Sequence, residues 1–365
     1  MTVSEVTEII EEFAPIEYKE EYDNVGLLVG SASNPVNGIL LTLDVTPEVL
    51  DDALANGANL IIAHHPVIFK GLKKLTGSSY TERTIIKAIK HGIAIYCAHT
   101  NLDSVWNGVS MSMAKKMGLK NIRVLHEATD QLVKLITFVP NKNVIEVRQS
   151  MFNAGAGNIG HYDQCSYNIQ GTGTFRAGDG TNPHVGDIGH LHQEQETRVE
   201  MIVPKPILAK AISAMKRTHP YEEVAYDVVP LLNANPRAGL GLIGDMPKSI
   251  KEPEFLKKVK NTFNLRCIRH SPFTNNNVKK VALCGGSGAN LIPKAISLGA
   301  NAFITADVKY HQFFDADNKI LLADIGHFES EHYTIDIFYE LLTKKIPNFA
   351  VLKTKVKTNP INYLY

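Results

Sequence analysis

The stretch GILLTLDVTPEVLDDALANGANLIIAHHP, residues 38–66, decides the expected fold because it places a helix between two apolar strands. Residues 39–43 and 60–63 are almost entirely apolar runs of strand length, and strands buried on both faces of a parallel sheet have this composition. Pro47 suits the first position of the intervening helix. A third apolar run, residues 93–98, continues the alternation. The stretch therefore predicts a parallel sheet of the α/β class.

The same alternation of strand and helix returns near the C-terminus. Apolar runs predict strands at residues 281–283, 302–305 and 320–323. Periodicity predicts helices at residues 291–298, 308–314 and 327–344. We expect two parallel-sheet α/β halves that form one domain. Because open α/β sheets bind ligands outside the carboxyl ends of their strands, polar residues that follow strands in both halves are expected to share one site.

Residues 128–232 break this rhythm and predict an inserted domain between residues 1–127 and 233–365. The predicted order is strand, helix, strand, strand, helix, strand, which is the ferredoxin-like arrangement. The strands are expected at residues 132–139, 164–169, 198–203 and 224–229, and the helices at residues 144–152 and 207–215. Residues 171–192 are rich in Gly, Thr, Asp and His and predict a long mobile loop.

Composition excludes several functional classes. The 365 residues carry 38 Lys and Arg against 37 Asp and Glu, so no long-range field attracts nucleic acid or an anionic membrane. No apolar run has the length of a membrane span, and the acidic N-terminal stretch has the wrong charge for a signal peptide. The four cysteines are scattered, as expected for free thiols. We expect a soluble cytoplasmic protein.

Three short motifs follow predicted strands and carry imidazole or carboxylate groups: AHHP at 63–66, HTNLD at 99–103 and GHFESE at 326–331. Each has an ordinary alternative when it is taken alone. The first can hold one capped surface histidine and one packed histidine. Asp103 can cap the next helix, and His327 with Glu331 can be a surface pair on one helix face.

Together, the three motifs predict a site for two divalent metal ions. The donors are expected to be His64, His65, Asp103, His327 and Glu331. Adjacent histidines on an extended chain point to opposite sides and can serve two ions. A mixed nitrogen and oxygen set suits Zn, Fe, Mn, Co or Ni, and a carboxylate can bridge two ions. Residues expected to orient the imidazoles are His99, Asn101, Asp44 and Asp324.

Two glycine-containing segments are candidates for substrate contact. CGGSG at 284–288 lies between a strand and a helix, so the backbone around Gly286 and Ser287 can bind a phosphate or form a tight turn. Asn24 lies in DNVG at 23–26, which can be a hairpin turn or a loop touching substrate.

These motifs resemble those of the GTP cyclohydrolase I type 2 homologues, also called Ngg-interacting-factor-three-like proteins. The resemblance also covers DNVGLLVG at 23–30 and LTLDVT at 41–46. It implies that His64, His65, Asp103, His327 and Glu331 bind two metals, and that the protein forms a homohexameric ring with the sites facing its interior. HPYEEVAYDV at 219–228 is similar to the PII and CutA proteins, which implies a PII/CutA-like insert. His184, His190 and His192 in the insert could form a second metal or effector site, or a solvated loop.

Two functions follow from these expectations. The first is a metal-dependent hydrolase, resembling GTP cyclohydrolase, in which activated water attacks a nucleotide or phosphoester-type substrate. Asp44 and His99 are the candidates for proton transfer. The alternative is a non-enzymatic protein for metal binding, metal delivery or regulation, with a ligand-sensing insert. A nucleic-acid-binding ring is disfavoured because the chain has no basic stripe.

Overall fold

The computed structural model describes residues 1–364, which form two compact units. Unit 1 contains Met1–Glu127 and the chain from Arg237 onward, and unit 2 contains Ala128–Pro236. No helix among the described residues is both long and apolar enough to cross a bilayer.

The strands are numbered β1 to β15 in chain order. They are Gly26–Val29, Ile39–Thr42, Leu60–Ala63, Ala94–Cys97, Lys120–Ala128, Leu132–Pro140, Tyr167–Arg176, Leu191–Pro204, Tyr226–Pro230, Asn235–Lys251, Arg269–His270, Asn277–Ser287, Ala302–Ala306, Leu321–Asp324 and Val351–Lys353.

The α-helices are numbered α1 to α11 in the same way. They are Val3–Phe13, Pro47–Ala55, Tyr80–Lys90, Thr100–Ser104, Val109–Met117, Val144–Asn153, Leu208–Thr218, Glu252–Thr262, Ile292–Ser297, His327–Glu331 and Thr334–Lys345. Short 3-10 helices occur at Ile16–Tyr18, Asn141–Asn143, Lys205–Ile207, Ala289–Leu291 and Tyr310–Ala316.

The two sheets of unit 1 confirm the α/β class. In the first, with strand order β1-β4-β3-β2-β15, β15, β2, β3 and β4 are parallel and β1 is antiparallel. In the second, with order β11-β14-β13-β12-β10-β5, β12, β13 and β14 are parallel, whereas β10 and β11 pair antiparallel with them. The parallel pairing expected for the six predicted strands is therefore confirmed. The apolar runs did not predict β1, β10 and β11, which add antiparallel pairs to the two sheets.

Burial on both faces explains the apolar central strands. In β3, Ile61 packs in a core with Val49 and Ile85 of the helices that follow β2 and precede β4. Ile62 belongs to the core on the opposite face, which includes Phe338 of α11. Alternate residues of a strand point to opposite faces, so helices on both sides require a continuously apolar strand.

Strand register brings the ends of these strands to common edges. Thr42 pairs with Ala63, and Ala63 pairs with Cys97, so the chain leaves β2, β3 and β4 side by side. In the other sheet Thr305 pairs with Asp324. Residues that immediately follow paired strand ends are therefore neighbours even when they are far apart in sequence.

Unit 2 contains an antiparallel sheet with strand order β7-β8-β6-β9, and α6 and α7 contribute to its core. The expectation of a long loop over residues 171–192 was wrong in part. Gly171 pairs with Glu196 and Arg176 pairs with Leu191, so the loop is confined to residues 177–190. Backbone hydrogen bonds extend this hairpin through a Gly- and Thr-rich sequence that lacks the apolar alternation used to predict strands.

Two predicted helices also differ. The helix predicted over residues 327–344 is interrupted between Glu331 and Thr334, and the helix predicted at residues 308–314 is the 3-10 segment Tyr310–Ala316.

Candidate metal centre

Strand ends from both sheets of unit 1 bring the predicted donors together. His64 and His65 follow β3, Asp103 lies in α4 after β4, and His327 and Glu331 lie in α10 after β14. Sets of their ligand atoms lie within 4.8 Å of one another. Because helix geometry places positions four apart on one face, His327 and Glu331 point to the same site.

The first donor group consists of His65, His327 and Glu331. The Oε2 atom of Glu331 lies 2.9 Å from His65 Nε2 and 2.8 Å from His327 Nε2. The two Nε2 atoms are 3.1 Å apart. An unprotonated imidazole nitrogen presents a lone pair, so these short distances require a proton on at least one of the two nitrogens or a metal ion between the three atoms.

The second donor group consists of His64, Asp103 and Glu331. His64 Nε2 lies 3.7 Å from Asp103 Oδ1 and 3.8 Å from Glu331 Oε1. The buried atoms His64 Nε2 and Asp103 Oδ1 have no hydrogen-bond partner, although such atoms nearly always have one. Separations of about 3–4 Å suit donors to one ion with bonds of about 2.1 Å.

Glu331 is common to both groups and contributes one oxygen to each. Glu331 is only 2% exposed to solvent. A Cβ atom at Gly286 would lie 2.1 Å from Glu331 Oε1, and Gly286 has φ +59°. Gly286 is therefore required for the close approach of this carboxylate. This role differs from the tight turn and the phosphate-binding loop that were considered from the sequence.

The electrostatics of the first group favour a bound cation. Burial opposes charge on His65, but hydrogen bonds to Asp44 and Glu331 outweigh it and raise its pKa to about 9. His327 has the same balance with Asp307 and Glu331, and its pKa rises to about 11. Burial would raise the pKa of Glu331, but contacts with His327, His64 and His65 hold that pKa well below its ordinary value. A metal ion can replace these protons.

In the second group, the pKa of the Asp103 carboxyl shifts in the opposite direction to that of Glu331. Burial, followed by repulsion from Glu331, raises the pKa of Asp103 to about 7. Two acidic groups that face one nitrogen without a cation repel each other, and a divalent ion between them removes this repulsion.

The imidazoles are held by acceptors on their outer nitrogens. His64 Nδ1 lies 2.9 Å from the carbonyl oxygen of Ala98, His65 Nδ1 lies 2.7 Å from Asp44 Oδ1, and His327 Nδ1 lies 2.7 Å from Asp307 Oδ2. An acceptor at Nδ1 fixes the tautomer in which Nε2 is free to bind a metal. Asp44 was expected in this role, whereas Asp307, a polar residue that follows the predicted strand 302–305, was not assigned to it.

His99 is held in the same way by a residue that the sequence reasoning missed. Its Nδ1 lies 2.8 Å from Asp23 Oδ1, and Asp23 Oδ2 accepts the Thr100 backbone N–H at 3.0 Å. These hydrogen bonds outweigh burial and hold the pKa of Asp23 far below its ordinary value. A His99 ring nitrogen completes a third group with His64 and His65. Asp23 precedes Asn24 in the motif DNVG, which is the signal that could have found it.

The other candidates have supporting roles. Asn101 Oδ1 accepts the His99 backbone N–H at 2.9 Å. Asp324 accepts backbone N–H groups of Val308 and Gly326 rather than an imidazole. Asn24 Nδ2 donates to the carbonyl oxygen of Ile68 at 2.6 Å, and Ser287 is exposed at the end of β12.

Unit 2 holds a separate cavity of about 620 Å³. Its lining includes Phe138, Phe175, His184, Glu196 and Tyr221. Tyr221 Oη donates to Glu196 Oε1 at 2.7 Å. Among residues 1–364, no group of three metal-binding side chains includes His184, His190 or His192.

Comparison with known proteins gives relatives along the whole chain. A "GTP cyclohydrolase 1 type 2 homolog" of Halalkalibacterium halodurans is 38% identical over 364 residues, which is 98% of each chain. That of Bacillus subtilis is 35% identical over 99% of this chain and 98% of its own. The crystal structure of a Bacillus cereus protein related to NIF3 has a TM-score of 0.88 at 36% identity and covers 100% of this chain and 99% of its own. Residues 1–360 match one family model, and the chain belongs to the Duf34/NIF3 (NGG1p interacting factor 3) family.

Proposed function

We propose that this protein binds two divalent metal ions per subunit and acts as a metal-dependent hydrolase. His65, His327 and Glu331 would hold one ion, and His64, Asp103 and Glu331 the other. The observation that carries the proposal is the division of one buried carboxylate between two donor groups. The partnerless, buried His64 Nε2 and Asp103 Oδ1 support it. The donor set admits Zn, Fe, Mn, Co or Ni.

The residues around the donors suggest how proton transfer is divided. When bound, paired divalent ions supply Lewis acidity and a hydroxide nucleophile near neutral pH. Asp44 has both oxygens engaged, Oδ1 with His65 and Oδ2 with Thr358, at 2.7 Å each, so it orients His65. His99 uses Nδ1 for Asp23 and has no hydrogen bond at Nε2 among residues 1–364. His99 Nε2 is therefore the atom that we assign to proton transfer.

The substrate class that we propose is a nucleotide or a phosphoester-type compound. The names of the relatives, GTP cyclohydrolase 1 type 2 homolog, make GTP the first compound to test. In a cyclohydrolase-like reaction, one water adds to C8 of guanine and the C8–N9 bond breaks, which opens the five-membered ring to a formamide. A second water hydrolyses the formamide and releases formate and an amine.

The test is turnover by protein reconstituted with Mn, Zn or Fe. Formate release from GTP and phosphate release from a phosphoester panel are measured for the wild type, Glu331→Gln and Glu329→Gln. Glu329 lies on the same helix but hydrogen bonds Asn359 rather than an imidazole, so it is the matched control. We expect activity in the wild type and the control only. Absence of turnover by all metal forms would count against hydrolysis.

The cavity in unit 2 favours a second candidate function, in which the protein binds metal without catalysis and senses a ligand through its insert. The cavity volume lies within the range of small-molecule sites. This alternative predicts exchangeable metal and a ligand-induced rise in melting temperature that Tyr221→Ala reduces, without any turnover. This alternative would be rejected if the protein turned over substrate and if Tyr221→Ala showed the same ligand-induced rise in melting temperature as the wild type.

We also propose that unit 2 is a ferredoxin-like, PII/CutA-like module and that the protein is a homohexameric ring. The element order β6-α6-β7-β8-α7-β9 and the strand order β7-β8-β6-β9 support the module. Native mass spectrometry tests the assembly, because a hexamer has six times the 40.3 kDa mass of one chain. A monomer at micromolar concentration would exclude it.

A further inference from the structure

A series of aromatic rings leads from the donor groups to solvent. The ring centroid of His99 lies 5.3 Å from that of His64 and 5.5 Å from that of His65. Phe69 lies 6.4 Å from His99, and Tyr22 lies 6.4 Å from Phe69. Exposure rises along the series, from 0% for His64 to 46% for Phe69 and 66% for Tyr22. The two outer rings therefore form an apolar wall beside the candidate metal centre.

The segments that carry the outer rings are tied to each other and to the site. Asp23, next to Tyr22, accepts hydrogen bonds from His99 and Thr100. Asn24 Nδ2 donates to the carbonyl oxygen of Ile68, the residue before Phe69. These hydrogen bonds join the segment that follows Tyr22 to residues 99–100 and to the segment that precedes Phe69. A ligand that packs on the rings would therefore need little further ordering of this backbone.

The phenol of Tyr22 lies in an acidic environment. Burial, followed by the negative charges of Glu20, Asp23 and Asp103, raises the pKa of Tyr22. Exposed rings next to polar donors are typical of sites that take a ligand with one planar, apolar part and one charged part.

We propose that Phe69 and Tyr22 bind a planar heteroaromatic ring of the substrate and thereby position its reacting group at the metal centre. This inference rests on the proposed function, because it assigns the substrate class of that same site. Aromatic side chains stack on the faces of nucleobases. An aliphatic sugar phosphate of the same charge gains no such contact. The ring pair therefore selects substrates with a planar heteroaromatic ring over sugar phosphates that lack one.

The test compares guanosine 5′-monophosphate with ribose 5-phosphate as calorimetric ligands of the full-length, metal-loaded protein. We expect the nucleotide to bind on the order of tenfold more tightly than ribose 5-phosphate, because stacking of the base on aromatic residues contributes a free energy of this size. Phe69→Leu and Tyr22→Leu should each weaken nucleotide binding severalfold and leave ribose 5-phosphate binding unchanged. Phe69→Tyr should restore the preference. Tyr80→Leu, which removes another exposed ring (57% exposed), is the matched control.

Metal content measured on the same samples separates this inference from the proposed function. If the wild type takes up no metal pair, the proposed function fails. If metal is bound but the two ligands bind equally, if neither binds at millimolar concentration, or if both leucine variants match the Tyr80→Leu control, the assignment of the rings is overturned.

Discussion

Replacement of Glu331 by Gln should remove both metal ions, whereas loss of other donors should remove one. Glu331 places Oε2 in the group with His65 and His327 and Oε1 in the group with His64 and Asp103. An amide keeps the size of the side chain but removes its charge and one acceptor. We expect two ions per chain in the wild type, none in Glu331→Gln, and one each in Asp103→Asn and His327→Gln.

The magnitude follows from linkage between metal binding and stability. With free metal at one hundred times the dissociation constant, each site adds about 2.7 kcal/mol to the free energy of unfolding, so two sites add roughly 5 kcal/mol. A domain of this size shifts its melting temperature by about 2–4 °C per kcal/mol. Metal should therefore raise the melting temperature of the wild type by roughly 10–20 °C, and Glu331→Gln should show almost no rise.

The assay combines elemental analysis of protein purified without chelator or metal-binding tag with thermal unfolding in chelator and in excess metal. Glu329→Gln and His332→Gln are controls on the same chain segment. The ring of His332 hydrogen bonds to the Phe328 carbonyl oxygen and not to any of the candidate metal ligands. Retention of one tightly held ion by Glu331→Gln would refute a shared carboxylate. So would equal losses in every donor variant and both controls.

Asp307→Asn should lower the affinity for the ion held by His65 and His327 about 10- to 100-fold, because it alters the acceptor that orients His327. Dialysis against buffered metal measures this affinity, and an affinity equal to that of the wild type would contradict the prediction. Metal uptake at pH 7.5 should release about two protons per chain, because His65 and His327 have metal-free pKa values of about 9 and 11. Metal affinity should therefore rise with pH. An indicator-dye titration measures the protons, and a pH-independent affinity without proton release would show that protons and metal do not compete for these imidazoles. The raised pKa values stabilise metal-free protein fully below about pH 6.5, and this stabilisation is lost as pH rises through 9 and 11. Gly286→Ala should lose metal while Gly57→Ala does not, because only the first meets Glu331; elemental analysis decides, and equal metal content in both variants would exclude a role for the close approach.

The candidate donors could be predicted from sequence because parallel strands align their carboxyl ends. Apolar runs located β2, β3 and β4, and the polar residues directly after them had to lie at one edge of a sheet. The sequence predicted that a carboxylate could join the two metal positions but left open whether Asp103 or Glu331 does so, since that depends on the packing of two sheets. It also could not predict which oxygen of Glu331 faces which imidazole.

The missed features depend on contacts between distant residues. Asp23 and His99 are 76 positions apart, and Asp307 adopts φ +55° in the turn that brings it to His327. The hairpin of β7 and β8 was underestimated because its Gly and Thr residues pair through the backbone. Short β1 and β15 are set by pairing with β4 and β2 rather than by a pattern of their own.

The most direct test of a dinuclear centre is anomalous diffraction from crystals of the protein loaded with manganese or zinc. We predict two peaks about 3.5–4 Å apart, one among His65, His327 and Glu331 Oε2 and the other among His64, Asp103 and Glu331 Oε1. A single peak that excludes His64 and Asp103, or metal bound only elsewhere on the chain, would contradict it.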